Sequence, residues 1–317
     1  PDGVWISIYL LPGCCCSGSF SGLMPRPPLP DVNKNFRLLL FNRMYGQLLR
    51  PGSAWMFTAA HALQMLPAPH PVIDKILPGR TCKRDLIREL AEALAEKRKH
   101  LLVYYNHSCN GKQDAAWEQA VGYHAPNKEP FAKNLLEIIT WMGDRYRDKI
   151  KAWWFDSPYS LDTRGPHNSV TTDMTGFQFP WERFTVAAKT GYPARLVTYN
   201  AGVNETFLYT LHQDYWAGEL VDLKHPPSGR HHPANGLQWF GWTCLEDRAW
   251  VHHRLDTEIS MPLYSNEETL AFVRTCNSHQ APMTFNVGIY QDGTMAEPSV
   301  EQLHRLAQAL GPKRATS

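Results

Sequence analysis

The sequence predicts an α/β fold, an irregular (β/α)8 TIM-like barrel in a single domain. Three observations predict it. Apolar runs of strand length alternate with amphipathic helical patterns along the chain. Those runs end repeatedly in a polar side chain: residues 54–59 lead towards His61, 101–105 deliver Asn106, 151–155 deliver Asp156, 195–199 deliver Asn200 and 282–285 deliver Asn286. Polar groups just past the C-terminal ends of buried parallel strands are what a barrel collects on its functional rim. Third, no Gly-rich phosphate loop follows any strand, so the rival doubly wound nucleotide fold lacks its signature.

The elements follow in order. Gly, Ser, Cys and Pro dominate residues 12–30, so residues 1–36 read as an irregular N-terminal segment and 37–317 as the barrel. Within that segment Val4 to Leu11 is a short apolar run with two readings. One is a further strand, from Gly3 to Leu11. The other is the tail of a secretory signal, against which stand the missing basic n-region and the proline at position 12. About six credible strands lie between Ala54 and Gly288, and residues 236–243 are a further candidate. From Arg84 to Glu96, Leu86, Ile87, Leu90, Ala91 and Leu94 share a helical face; from Phe131 to Tyr146, Leu135, Ile138, Ile139 and Met142 do the same. Trp181 to Thr190 predicts a shorter helix, with Gly191 placed to cap it. Ser265 and Glu268 have capping-box spacing before Leu270, Ala271 and Val273. Pro298 suits the first turn of a last helix carrying Val300, Leu303, Leu306 and Leu310.

Composition narrows the function classes. With 43% hydrophobic and 20% charged residues, the 317-residue chain can bury a large core. Lys+Arg 32 against Asp+Glu 30 gives a net charge of +2, which supplies no general attraction for nucleic acid or an anionic membrane. No apolar run reaches membrane-spanning length. The 7 cysteines show no metal-type pairing, and neighbours such as Cys14, Cys15 and Cys16 do not easily bridge one another. His231-His232 and His252-His253 lack helical ligand spacing and read as loop histidines, so no metal is expected. The 11 Trp and 13 Tyr serve a core first, but in a cleft their faces can stack on the C–H face of a sugar. Trp239 and Trp242, three apart in a strand, fall on opposite faces.

Two carboxylates stand out. Asp156 follows Trp153-Trp154-Phe155, and Glu219 follows Asp214-Tyr215-Trp216-Ala217-Gly218. Large rings that exclude water raise the pKa of one carboxyl, while hydrogen bonds keep another ionised. A pair separated in this way is what glycoside hydrolysis needs: one group attacks or stabilises the anomeric carbon, the other protonates the leaving oxygen. Asp156-Ser157-Pro158 is equally compatible with a plain Asx-turn at a strand end.

In these residues the chain resembles the α-L-fucosidases of glycoside hydrolase family 29. Trp154-Phe155-Asp156-Ser157 resembles the family's Trp-Phe-Asp-Gly strand end, with Ser for Gly. Asp214-Tyr215-Trp216-Ala217-Gly218-Glu219 is similar to its Asp-Tyr-x-x-x-Glu segment, and Tyr104-Tyr105-Asn106 to its Tyr-Tyr-Ser strand end. Residues 286–294, with Asn286-Val287-Gly288 and Asp292-Gly293-Thr294, resemble its closing motif, and Gly79-Arg80 with Arg84-Asp85-Leu86 its helix entry. The chain departs from the family's Lys-His-His-Asp-Gly-Phe, where it has Ala60-His61-Ala62-Leu63, and lacks the Arg expected after Asn200. Lost hydroxyl partners change which sugar fits.

The resemblance implies a retaining glycosidase for a terminal deoxyhexose such as α-L-fucose. Asp156 would be the nucleophile and Glu219 the acid/base. His61, Tyr105, Asn106, Asn200 and Tyr215 would bind the sugar, with Trp154 or Trp242 facing the ring. The expected partner is a carbohydrate; no organic cofactor is needed, since two carboxylates and water suffice. Asp173, Glu182 and Glu246 are the substitute acids if Glu219 points elsewhere. A non-catalytic carbohydrate-binding protein on the same barrel is the alternative, motivated by the missing histidine pair.

Overall fold

The computed structural model describes residues 4–10, 54–59, 66–109, 114–247, 254–290 and 293–311. Among these residues seven strands, all paired in parallel, form one sheet. They are β1 (Val4–Leu10), β2 (Ala54–Ala59), β3 (His100–Asn106), β4 (Ile150–Asp156), β5 (Leu196–Tyr199), β6 (Gly241–Cys244) and β7 (Met283–Asn286). The helices are α1 (Pro71–Ile76), α2 (Leu86–Glu96), α3 (Ala115–Val121), α4 (Glu129–Tyr146), α5 (Trp181–Ala188), α6 (Asn266–Ser278) and α7 (Glu297–Leu310). The strand order β5-β4-β3-β2-β1-β7-β6 is the sequence order read as a circle. Parallel neighbours need a crossover, and helices fill most of the crossovers.

The two faces of the sheet differ. Odd-numbered side chains of β3 and β4 (Leu101, Val103, Tyr105, Trp153, Phe155) pack with the helices, among them Ile87, Leu135, Ile139 and Phe184. Even-numbered ones (Leu102, Tyr104, Ala152, Trp154) form a second cluster with Tyr215, Ala217, Phe240 and Trp242, to which no helix among the described residues contributes. A doubly wound sheet would carry helices on both faces. This one curls around its second cluster. Trp154 on β4 meets Trp242 on β6 edge-to-face with ring centroids 4.3 Å apart. Five strand spacings separate them in the order, about 24 Å in a flat sheet.

The ladder itself stays open, since no strand pairs β5 with β6 among the described residues. The segment 214–220 lies in that gap. Asp214 N–H donates to Val197 O of β5 (2.8 Å), Trp242 N–H of β6 donates to Gly218 O (2.8 Å), and Leu220 N–H donates to Trp242 O (2.8 Å).

The predicted helices occur with small shifts. The one from Arg84 starts at Leu86, because Asp85 takes the cap and accepts from Arg88 N–H. The one from Phe131 starts at Glu129, and the one from Trp181 stops at Ala188, with Gly191 left-handed beyond it (φ +73°). The Ser265–Glu268 capping box is present in full. Helices α1 and α3 were not anticipated; each is short and starts at a side-chain cap, His70 and Asp114. The candidate strand at 236–243 is the shorter β6. Val4–Leu10 takes the strand reading and sits between β2 and β7, so the sheet draws on the N-terminal segment. Cys82, Cys109, Cys244 and Cys276 are buried. Trp239 and Trp242 do fall in different clusters.

Candidate active site

Strand register assembles one side of the site. Asn106 pairs with Asp156 across β3 and β4. Asn200 N–H donates to Phe155 O (2.8 Å), which sets the next chain end alongside. Three polar side chains thus stand in a row on the C-terminal edge of the sheet. The carboxylate of Asp156 collects three donors. Tyr104 Oη–H donates to Oδ2 in a short bond, Asn106 Nδ2–H donates to Oδ2 at 3.3 Å, and Asn200 Nδ2–H donates to Oδ1 at 3.1 Å. An acceptor-only carboxylate is matched to such a ring of donors.

The other side is built by segment 214–220, residue by residue. Asp214 fastens its start: its Oδ2 accepts from Val197 N–H (2.8 Å) and pairs with Lys189 Nζ (2.8 Å). Tyr215 turns into the inner cluster and donates from Oη to Trp153 O (2.7 Å). Trp216 faces the other way and donates from Nε1 to Glu205 O (2.7 Å). Ala217 O accepts from Trp154 Nε1 (2.8 Å). Gly218 has φ +59°, and a Cβ there would lie 1.7 Å from Phe240 O, so this backbone can run against β6 only without a side chain. Glu219 follows, and its Oε2 accepts from Asn200 Nδ2–H at 2.6 Å.

Asn200 is therefore the hinge of the arrangement. One hydrogen of its amide goes to Asp156 and the other to Glu219, while its Oδ1 accepts from Gly202 N–H (3.0 Å). Oxygens bonded to one nitrogen at 3.1 and 2.6 Å lie within about 6 Å of each other. Electrostatics act on Glu219. Burial pushes Glu219 up to about 7, the nearby charge of Asp156 adds to the rise, and the Asn200 bond opposes it. Tyr159, after the strand end, feels the same charge: Asp156 and then burial raise its phenol. A carboxyl that keeps its proton near neutrality, beside a second one ringed by donors, can do acid–base chemistry on a bound oxygen.

Other predicted site residues lie elsewhere. Tyr105 is a correction: it points to the helix side and packs edge-on against Trp153 and Phe155. Its neighbour Tyr104 reaches Asp156 instead. The alternation of a strand carried the signal, since Tyr104, Asn106, Trp154 and Asp156 must share a face if Asn106 pairs with Asp156. Trp154, Trp242 and Tyr215 are closed in the inner cluster with 1%, 1% and 5% exposure, so they underlie the carboxylates and offer no ring face to a ligand. His61 lies outside the described residues, as do Cys14 to Cys16 and His252-His253. Of the substitute acids, Asp173 is on an exposed loop, Glu182 is exposed and pairs with His212, and Glu246 is fully buried with Oε2 accepting from Gly288 N–H (3.0 Å). Sequence reasoning did not single out His107 or Tyr159. Among the described residues no group of three His, Cys, Asp or Glu side chains is disposed to hold a metal ion. Two cavities, about 720 and 470 Å³, run along the loop after β4, and neither is lined by Asp156 or Glu219.

Comparison with known proteins adds a likeness of fold. No family model and no curated protein matches the chain. Solved structures do, each over 81% of this chain. An endo-fucoidan hydrolase, MfFcnA4, from glycoside hydrolase family 107 is 15% identical with a TM-score of 0.59, over 47% of its own length. The α-L-fucosidase AlfC from Lactobacillus casei, in complex with its α-L-fucose product, is 16% identical with a TM-score of 0.52, over 74% of its length. A family 29 α-L-fucosidase from Bacteroides thetaiotaomicron is 14% identical with a TM-score of 0.54, over 56%. The chain spans about half the length of the first of these.

Proposed function

We propose that the chain is a retaining glycoside hydrolase for an α-L-fucose-like sugar, on an irregular (β/α)8 barrel in which segment 214–220 takes the place of a strand. The observation that carries the reading is the shared amide of Asn200, which ties Asp156 and Glu219 into one pair. The bound of about 6 Å on their nearest oxygens suits the ~5–5.5 Å of a retaining pair better than the ~6.5–9.5 Å of an inverting one. The fold neighbours, named as fucosidases and fucoidan hydrolases, support the sugar class.

Asp156 attacks the anomeric carbon from the ring of donors that aims it. Glu219, holding its proton up to about pH 7, protonates the departing oxygen and afterwards takes a proton from water. Asn106 and Asn200 orient the carboxylates and sugar hydroxyls, and His61 binds a further hydroxyl. The test is turnover of an aryl α-L-fucoside, with a panel of other glycosides and fucoidan beside it. Asp156→Ala should lose roughly 10³-fold or more in kcat and regain part of it with azide, which attacks from the vacated side. Sugar binding without turnover of any substrate would favour the non-catalytic reading.

A further inference from the structure

Ser157, the residue after Asp156, is left-handed at φ +60°, ψ 33°. For a residue with a side chain that conformation costs about 1–2 kcal/mol, so its surroundings must hold it. Two neighbours do, the last residue of β3 and the one after it. Asn106 Nδ2–H donates to Ser157 Oγ (3.0 Å), and His107 Nε2 lies 2.7 Å from Ser157 O. The tautomer follows from the bonds. Cys109 N–H donates to His107 Nδ1 (3.1 Å), so Nδ1 carries no proton and Nε2–H is the donor to Ser157 O. Trp117 Nε1–H donates to His107 O (2.9 Å) and fixes the backbone from behind. The imidazole is buried, 5% exposed, and touches neither carboxylate by any hydrogen bond described. Burial holds it neutral, lowered to about 4.

We infer that His107 is a positioning residue: it fixes the left-handed turn at Ser157 and thereby the direction in which Asp156 presents its carboxylate. This rests on the proposed role of Asp156. With Ser157 held at its hydroxyl by Asn106 and at its carbonyl by His107, the Asp156 side chain keeps one approach to the sugar, and a misplacement of about 1 Å costs on the order of 100-fold in rate.

The test uses the full chain. His107→Met removes the donor. It should lower kcat for an aryl α-L-fucoside roughly ten- to 100-fold with KM within about twofold. His107→Gln returns an N–H at nearly the same reach and should recover most of the loss. Ser157→Gly, which the turn accepts without strain, should also lower kcat at constant KM while the melting temperature holds. It serves as well if the methionine variant does not fold. Histidine ¹⁵N spectra read the geometry without activity: His107 should be the neutral Nε2–H tautomer at pH 7. The opposite tautomer overturns the inference, as do a folded His107→Met or Ser157→Gly with wild-type kcat, or a glutamine variant as impaired as methionine. A wild type without glycosidase activity but with the expected tautomer would instead count against the proposed function.

Discussion

Asn200 shows how one side chain sets the properties of two others. Its amide gives a hydrogen to each carboxylate, so it holds them close and also lowers the proton affinity of Glu219 against burial and the Asp156 charge. With Glu219 as the general acid, kcat/KM should fall about tenfold per pH unit above about 7, and Glu219→Gln should lose that limb. Asn200→Ala removes the one lowering influence, so its basic limb should move to higher pH while kcat drops. Stability follows the same carboxyl. Because folding raises its pKa, the Glu219 contribution is complete below about 4.5 and is lost as pH rises through about 7. Glu219→Gln should therefore be more stable than wild type above pH 7, by up to about 3 kcal/mol in urea unfolding. Equal stability at pH 8 would mean that the carboxyl is not buried as described.

Among the elements, segment 214–220 contributes most to the site with the least regular structure. It is neither helix nor ladder strand, and Gly218 is what lets it lie against β6. Gly218→Ala should push the segment off Phe240, cost about 3 kcal/mol or more on thermal unfolding, and abolish turnover even where the fold survives. Arg195 is the counterpart on the helix side. Its fully buried guanidinium donates to Ile150 O (2.9 Å), Gly143 O (3.1 Å), Thr190 O (3.1 Å), Ala188 O and Arg147 O, tying the C-terminal ends of α4 and α5 to the start of β4. Arg195→Met should destabilise by about 3 kcal/mol in a urea melt and leave the pH profile of any surviving activity unchanged. Such elements mark where sequence reading stops. The amphipathic helices were legible because their apolar faces repeat every turn, and Asp156, Asn106 and Asn200 because each ends an apolar run. The capping box at Ser265 was legible from two residues. Tyr105 was misassigned although alternation was available to correct it. His107 carried no local signal, since its role lies in a peptide 50 residues away.

For the whole molecule, the sheet is a curled layer whose inside is filled by Tyr104, Trp154, Tyr215, Phe240 and Trp242. The rings expected to face a sugar, Trp154 and Trp242, instead meet edge-to-face beneath the carboxylates at 4.3 Å, with Tyr104 stacked on Trp154 at 5.3 Å. That plug lies directly below the site, because β3 and β4, which end in Asn106 and Asp156, carry the inward rings Tyr104 and Trp154 two positions earlier. Sequence alone could count aromatic residues but not say which ones the curl would enclose. β1 lies inside the strand order, between β2 and β7, so a chain lacking residues 1–10 should leave two unpaired edges and fail to give a cooperative thermal transition. The central claim, that Asp156 and Glu219 work as nucleophile and acid/base over one sugar, is tested most directly by trapping. A 2-deoxy-2-fluoro-fucosyl donor with a good leaving group slows breakdown of a covalent intermediate, and peptide mass mapping locates the label. A single fucosyl adduct on Asp156, absent from Asp156→Ala, is expected. An adduct on another carboxylate, or turnover of fucosides with no adduct at any residue, would contradict it.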